Sequence, residues 1–415
     1  MSPLETYLND LLAIRASGAA VKETSGYGPL ANLCNAVGQT LKPKVRCLIG
    51  LQDQGAGLPD AGFFTPEQFA KGSDAEPLQG QSPARGVIEV KGAADDAWLT
   101  AEGEQVSRYW GQYRLVLVTN YRDFVLVGRD ASGKPAKLET FRLAPDEAAF
   151  WSAAAAPHKT AAALGERFTE YLKRVMLHAA PLQSPPDVAW FLASYARDAR
   201  ARVLAADLPA LTAVRNALEE ALGMKFEQEK GEHFFRSTLV QTLFYGVFSA
   251  WVLWHKENPV RRDHFDWRAA SWTLHVPMIK ALFEQIATPS KLGPLGLVEP
   301  LDWTAAALNR VDRPEFFARF VESHAVQYFY EPFLEAFDPE LRKELGVWYT
   351  PPEIVEYQVA RVDKSLGGRR ESVRNPVPKH VRHIYKREAI CRHGCRALHR
   401  QQGHGGHHGT HLSHT

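Results

Sequence analysis

Apolar residues recur at three- and four-residue spacing in two N-terminal stretches, Pro3 to Ala20 and Tyr27 to Thr40. In the second, Leu30, Leu33, Cys34 and Val37 share one face. This period predicts two amphipathic helices. The pattern then shortens to β-rich runs at 45–51 (VRCLIGL), 61–64 (AGFF), 86–91 (GVIEVK), 113–119 (YRLVLVT) and 123–128 (DFVLVG). β-Branched and aromatic residues bounded by turn formers predict strands. A helical period from Thr100 to Gln112 separates the third strand from the fourth, and Tyr121-Arg122 is short enough to make the last two a hairpin. Gly, Pro, Ser and Gln crowd Pro66 to Pro83, which predicts a surface loop.

From about 145 to 345 the chain reads as helix throughout, with Leu, Phe and Trp spaced along Ala-rich segments. Ser184-Pro-Pro-Asp187 carries a capping serine, prolines in the first turn and an acid three residues on, the signature of a helix start. The longest apolar run, Leu239–Trp254, has 16 residues and contains Gln241. A bilayer span needs about 20, so this run predicts a buried helix and no membrane partner. Near residue 366 the periodicity stops. A tail without it cannot bury enough apolar surface to fold and is expected to be disordered.

Composition sharpens that boundary. The chain has 415 residues, 45% hydrophobic and 23% charged, which excludes a disordered or collagen-like protein as a whole. At about 100–200 residues per domain, two or three domains are expected. Residues 367–415 hold ten of the 49 Lys and Arg, two of the 47 Asp and Glu, and nine of the 16 His. The net charge of +2 therefore divides into +8 on the tail and −6 on the first 366 residues. A basic pI of this origin carries no information about a basic face on the folded part. The start MSPLETYLNDLLAIR has no basic segment followed by an apolar one, and the four cysteines are too scattered for a disulfide framework. A reduced, cytoplasmic protein is expected.

The candidate chemistry lies between residues 20 and 128. Glu23 precedes a helix, Pro59-Asp60 sits between strands, Glu89-Val90-Lys91 ends an apolar strand, and Gln105 and Tyr109 are one helical turn apart. Residues i and i+2 of a strand face the same side, so Glu89 and Lys91 project together. With Asp60 on a neighbouring strand, two carboxylates and an ammonium would converge. Hard oxygen ligands of this kind suit Mg²⁺, which polarises a phosphate and activates water, while a lysine orients that water or shares in its deprotonation. Taken singly, acid-x-Lys also fits a solvated strand, Pro-Asp a turn, and Gln-x-x-x-Tyr a half-exposed helical face.

In this order the elements resemble the PD-(D/E)XK nuclease core, in the variant with a QxxxY helix. The resemblance implies an α/β fold for residues 1–135 and metal-dependent cleavage of double-stranded DNA with Mg²⁺ or Mn²⁺. It implies that Asp60 and Glu89 bind the metal with support from Glu23, that Lys91 is the catalytic lysine, and that Gln105 and Tyr109 contact DNA or steady the site. Asp53, Asp95 and Asp96 fall outside the pattern and are expected to be surface groups.

A second resemblance begins at residue 328. The segment LRKELGVWYTPPEIVEYQV is similar to the opening of the methyltransferase module of adenine-N6 DNA methyltransferases, especially in single-chain restriction–modification enzymes. That likeness implies that Tyr349, Thr350 and Pro351 line an S-adenosylmethionine pocket in the intact family. The glycine-rich loop and the Asn/Asp-Pro-Pro-aromatic loop that such a module needs do not follow, and Asn375-Pro376-Val377 is incomplete. A frame shift or truncation near Leu366 is the expected explanation. Cys391, His393, Cys395 and His399 match no common zinc spacing. Gly128 to Lys134 resembles a phosphate loop, but Pro135 stands where the magnesium-binding hydroxyl belongs, so no ATP motor is expected.

The organisation expected is thus a nuclease-like domain at 1–135, a helical connector at 136–327, the start of a methyltransferase module at 328–366, and a basic, His-rich tail at 367–415. The methyltransferase core and target-recognition domain of the intact family would be missing. The functional expectation is a restriction–modification nuclease and connector. The alternatives are a methyltransferase-family member without its catalytic core, and a non-enzymatic remnant.

Overall fold

The computed structural model describes residues 1–21, 23–70, 78, 80–130, 132–206, 208–223, 225–226, 228–258, 264–274, 277–320, 329–344, 357–358 and 361. Tyr349, Thr350, Pro351 and the whole tail lie outside the described residues. The chain divides into two compact units, Met1–Pro181 and Leu182–Thr415.

The first unit opens with α1 (Pro3–Ala16). Ser2 accepts from the Glu5 amide while the Glu5 carboxylate accepts from the Ser2 amide, and Pro3 occupies the first turn. The helix ends at Ala16, short of the expected Ala20, because Ser17 and left-handed Gly18 close it. After a 3₁₀ turn at Thr24–Gly26 comes α2 (Tyr27–Gly38).

Six strands follow among the described residues: β1 (Arg46–Ile49), β2 (Ala61–Phe64), β3 (Val87–Val90), β4 (Val116–Thr119), β5 (Asp123–Arg129) and β6 (Pro135–Arg142). They form one sheet in chain order. All neighbours are antiparallel except β3 and β4, where Glu89 is opposite Val118 and Val90 opposite Thr119. That parallel pair needs a crossover, supplied by α4 (Ala97–Ala101) and α5 (Glu104–Tyr113). The expected single helix from Thr100 to Gln112 is these two pieces. Asp96 caps the first, and Gly103 interrupts the chain before the second.

The two central strands are buried on both faces, as their unbroken apolar sequences require. On one face Val87, Val116, Val118, Val125 and Val127 pack under Val106, Tyr109 and Tyr113 of α5. On the other, Phe124 meets Phe168 of α7 (Pro157–Leu177) at 4.8 Å, and Phe141 meets Tyr171 at 5.7 Å.

One sequence expectation changes here. Residues 66–83 hold a short helix, α3 (Pro66–Ala70), at the start of the expected loop, because a proline and Glu67 favour a first helical turn. β6 completes the sheet against β5, and α6 (Glu147–Ala154) and α7 pack on α1, so the first unit extends to Pro181. In β6 the exposed positions include Pro135, Lys137 and Arg142, while Glu139 is buried and paired with buried Arg174 at 3.0 Å. The Gly128–Pro135 look-alike is the turn from β5 to β6, where the Asp130 carboxylate accepts from the Lys134 amide at 2.8 Å.

The second unit is helical in its described part: α8 (Pro185–Ala205), α9 (Leu208–Leu222), α10 (Gln228–Glu257), α11 (Ala270–Thr273), α12 (Pro277–Ile286), α13 (Pro289–Leu292), α14 (Val298–Asn309), α15 (Arg313–Arg319), α16 (Glu331–Phe337) and α17 (Pro339–Glu344). Ser184 caps α8 as its sequence predicts, accepting from the Asp187 amide at 3.3 Å. The run from Leu239 to Trp254 lies inside α10, with Leu239, Leu243, Phe244, Val247 and Trp251 fully buried. Buried Asp338 accepts from Ser237 at 2.9 Å and pairs with Arg200 at 3.1 Å. Among the described residues no helix is long and apolar enough to cross a membrane.

Candidate active site

Strand alternation puts Glu89 on the same face as Val87, beneath α5, and Lys91 follows on that side one step past the end of β3. The Lys91 amide continues the parallel ladder by donating to the Thr119 carbonyl at 2.8 Å, which fixes the stem of the side chain. Lys91 Nζ then lies 2.6 Å from Glu89 Oε1 and 3.9 Å from Glu23 Oε1.

Asp60 arrives from the neighbouring strand, one residue before β2. Its Oδ2 accepts from the Val90 amide at 2.7 Å, and its Oδ1 accepts from the Tyr27 phenol at 2.6 Å. Val90 is the residue between Glu89 and Lys91, so the three groups named from the sequence meet at one end of β3. Glu23 joins them through Lys91. Among the described residues no three His, Cys, Asp or Glu side chains form a metal-chelating group, and Glu23 faces the ammonium.

Gln105 and Tyr109 stand just behind. The Gln105 amide donates to the Tyr109 hydroxyl at 3.1 Å. Tyr109 is buried in the α5 face of the sheet, alongside Leu51 and Ala56 of the loop that delivers Asp60. Gly57 of that loop has φ +106°, and a Cβ there would sit 3.4 Å from the Tyr109 ring. The ring is therefore a floor for the loop. Asp53 folds the loop by accepting from the Gly55 and Gly57 amides at 2.8 and 3.0 Å, bonds that hold its carboxyl below the usual range. Asp53 and Asp96 thus accept from backbone amides of their own loop and helix start.

The electrostatics follow from burial. Only 1% of the Glu89 side chain is exposed. Desolvation pushes its carboxyl up to about 7; Lys91 opposes that rise, and the charges of Asp60 and Glu23 add to it. Its Oε2 is buried without a hydrogen-bond partner. Partial burial lowers the Lys91 ammonium, but the bond to Glu89 and the charges of Glu89, Glu23 and Asp60 outweigh it, so the net shift is upward.

No protein-family model matches the chain, and no curated protein matches it. A cryo-electron-microscopy structure of a DrdV–DNA complex is a weak structural neighbour. It shares 18% sequence identity at a TM-score of 0.26, over 85% of this chain and 30% of that one. The chain thus spans about 30% of the length of that neighbour.

Two tyrosines that hold the Asp60 carboxylate and the Glu23 main chain fall outside the sequence pattern. Tyr27 lies four residues after Glu23, the spacing of one helical turn, and that was the available signal. Tyr121, in the β4–β5 turn at φ +73°, donates its hydroxyl to the Glu23 carbonyl, while Tyr7 of α1 donates to the Tyr121 carbonyl at 2.9 Å. Gly26 makes this possible: a Cβ there would lie 2.5 Å from the Tyr121 ring. These contacts join residues far apart in the chain, so local patterns do not reveal them.

Proposed function

We propose that the first unit is a metal-dependent nuclease that hydrolyses DNA phosphodiester bonds, with Asp60, Glu89 and Lys91 at its centre. The observation that carries this reading is the meeting of the three groups, with Asp60 bound to the backbone amide between the other two. The resemblance of the acid, Pro-Asp, Glu-x-Lys and Gln-x-x-x-Tyr order to the PD-(D/E)XK core supports it.

The residues fit a divalent cation. Glu89 Oε2 is a buried carboxylate oxygen without a partner. Each Asp60 oxygen accepts one bond and has a second lone pair. Mg²⁺ is commonly held by one or two carboxylates, with water and substrate phosphate completing its shell. Asp60 and Glu89 would hold it, and Glu23 acts one step back, through Lys91. A bound cation supplies Lewis-acid polarisation of the phosphate and offsets its developing charge.

Lys91 remains protonated, held so by Glu89, and therefore acts as a donor and a positive charge toward the attacked phosphate or its water rather than as a base. Glu89 loses its proton more readily once a cation or Lys91 faces its second oxygen. Gln105 and Tyr109 keep the Asp60 loop in place. The negative balance of residues 1–366 opposes strong phosphate binding, so the expected cleavage is weak and without sequence preference.

Plasmid nicking by the purified chain in Mg²⁺ or Mn²⁺ tests the reading. Lys91→Ala and Asp60→Ala each abolish nicking; undiminished nicking by either variant refutes it. The methyltransferase assignment of 328–366, with S-adenosylmethionine at Tyr349, Thr350 and Pro351, rests on sequence resemblance. Titration calorimetry with S-adenosylmethionine is expected to show no heat for this chain, and micromolar binding would overturn the view that its cofactor core is missing.

A further inference from the structure

Tyr27 is half-buried in the first turn of α2, at a position outside the nuclease pattern. Its phenol donates to Asp60 Oδ1 at 2.6 Å, and the Val90 amide donates to Oδ2 at 2.7 Å. Donors on both oxygens fix both torsions of the aspartate: turning the carboxylate toward any other partner breaks one bond. An O–H···O⁻ bond of this length lies in the strong, charge-assisted range. The start of α2 is itself braced, because the Tyr121 ring lies against Gly26 and its hydroxyl holds the Glu23 carbonyl.

We propose that Tyr27 is a positioning residue for the cation site, holding Asp60 so that its open lone pairs stay directed to the Glu89–Lys91 end of β3. The inference rests on the metal-dependent reading above and adds a residue to it. Without the phenol, Asp60 rotates about its Cβ–Cγ bond and must be ordered when a cation binds. Affinity falls, while a cation once bound meets the same Glu89 and Lys91. Groups that hydrogen-bond to metal ligands from behind are typically worth about 10–100-fold in affinity.

Calorimetric titration of the full chain with Mn²⁺ separates these effects. Tyr27→Phe raises the dissociation constant by about tenfold or more, at unchanged stoichiometry. In plasmid cleavage its half-saturating Mg²⁺ rises similarly, and the rate recovers at saturating Mg²⁺. Partial misfolding would lower the stoichiometry and leave the constant alone, so the variant remains readable if some of it is unfolded. Equal constants for wild type and Tyr27→Phe, with binding abolished by Asp60→Asn, overturn the role of Tyr27 and leave the nuclease reading standing. A loss of maximal rate at an unchanged constant overturns it as well, since a purely structural part would act that way. Absence of Mn²⁺ heat from the wild-type chain removes both.

Discussion

Glu89→Gln separates the energetic cost of the site from its chemistry. The Glu89 carboxyl is pushed from its ordinary 4.5 to about 7 because the ionised form is buried. In this interval the folded chain holds a proton that the unfolded chain has released, so raising the pH disfavours folding. Each pKa unit corresponds to roughly 1.36 kcal/mol, and the interval to about 3 kcal/mol of stability, complete below pH 4.5 and lost as the pH rises through about 7. Glutamine accepts the Lys91 bond without titrating; its buried amide N–H shifts the absolute stability but leaves no slope. Hydrogen exchange of the β3 and β4 amides, corrected for intrinsic rates and run with chelator, reads this unit alone. That locality matters because His255 in the second unit is lowered by burial and by Arg313, and contributes with the opposite sign, gaining stability as the pH rises toward 6.5. Wild type loses opening free energy from pH 5 to 8 and recovers it on adding Mg²⁺; Glu89→Gln does neither and cleaves nothing. A flat wild-type profile, or the same slope in the variant, refutes the reasoning.

Gly26→Ala places a Cβ 2.5 Å from the Tyr121 ring and is expected to destabilise the first unit by about 1–3 kcal/mol, seen as a lower denaturation midpoint. Arg174→Ala removes the cation that lies 3.0 Å from buried Glu139; a loss of up to about 3–5 kcal/mol is expected, and an unchanged midpoint would show that the pair contributes nothing. In the second unit, Phe248→Ala removes a ring stacked on Phe329 and in edge contact with Phe316. Exchange protection along α10 should fall by about 3–5 kcal/mol.

The legible parts of the fold were those with local causes. The apolar run at 86–91 makes a buried strand wherever it pairs, and its alternation places Glu89 beside Lys91 without further information. The capping signal at Ser184 and the buried face of 239–254 are likewise written in neighbouring residues. β6 was not legible. PAKLETFR alternates only weakly, starts with proline and buries Glu139, which is tolerable only because Arg174 of α7 meets it. In the candidate site, the three groups that meet at the end of β3 could be named from the sequence, but what holds them could not. The Tyr27–Asp60 and Tyr121–Glu23 bonds depend on how α2, the β1–β2 loop and the β4–β5 turn come together.

A sheet in chain order leaves β1 and β6 as its two margins. Margins with free backbone donors recruit other chains into ribbons. Here one margin begins with proline and displays Lys137 and Arg142, and the other is only four residues long and begins with exposed Arg46. A proline without an amide to share, and charged side chains held by ion partners (Glu102 for Lys137, Asp123 for Arg142) that a seam would have to desolvate, discourage self-templated growth. Replacing exposed Lys137 by valine would then lower that barrier, and light scattering on concentrating the protein would be the place to see it.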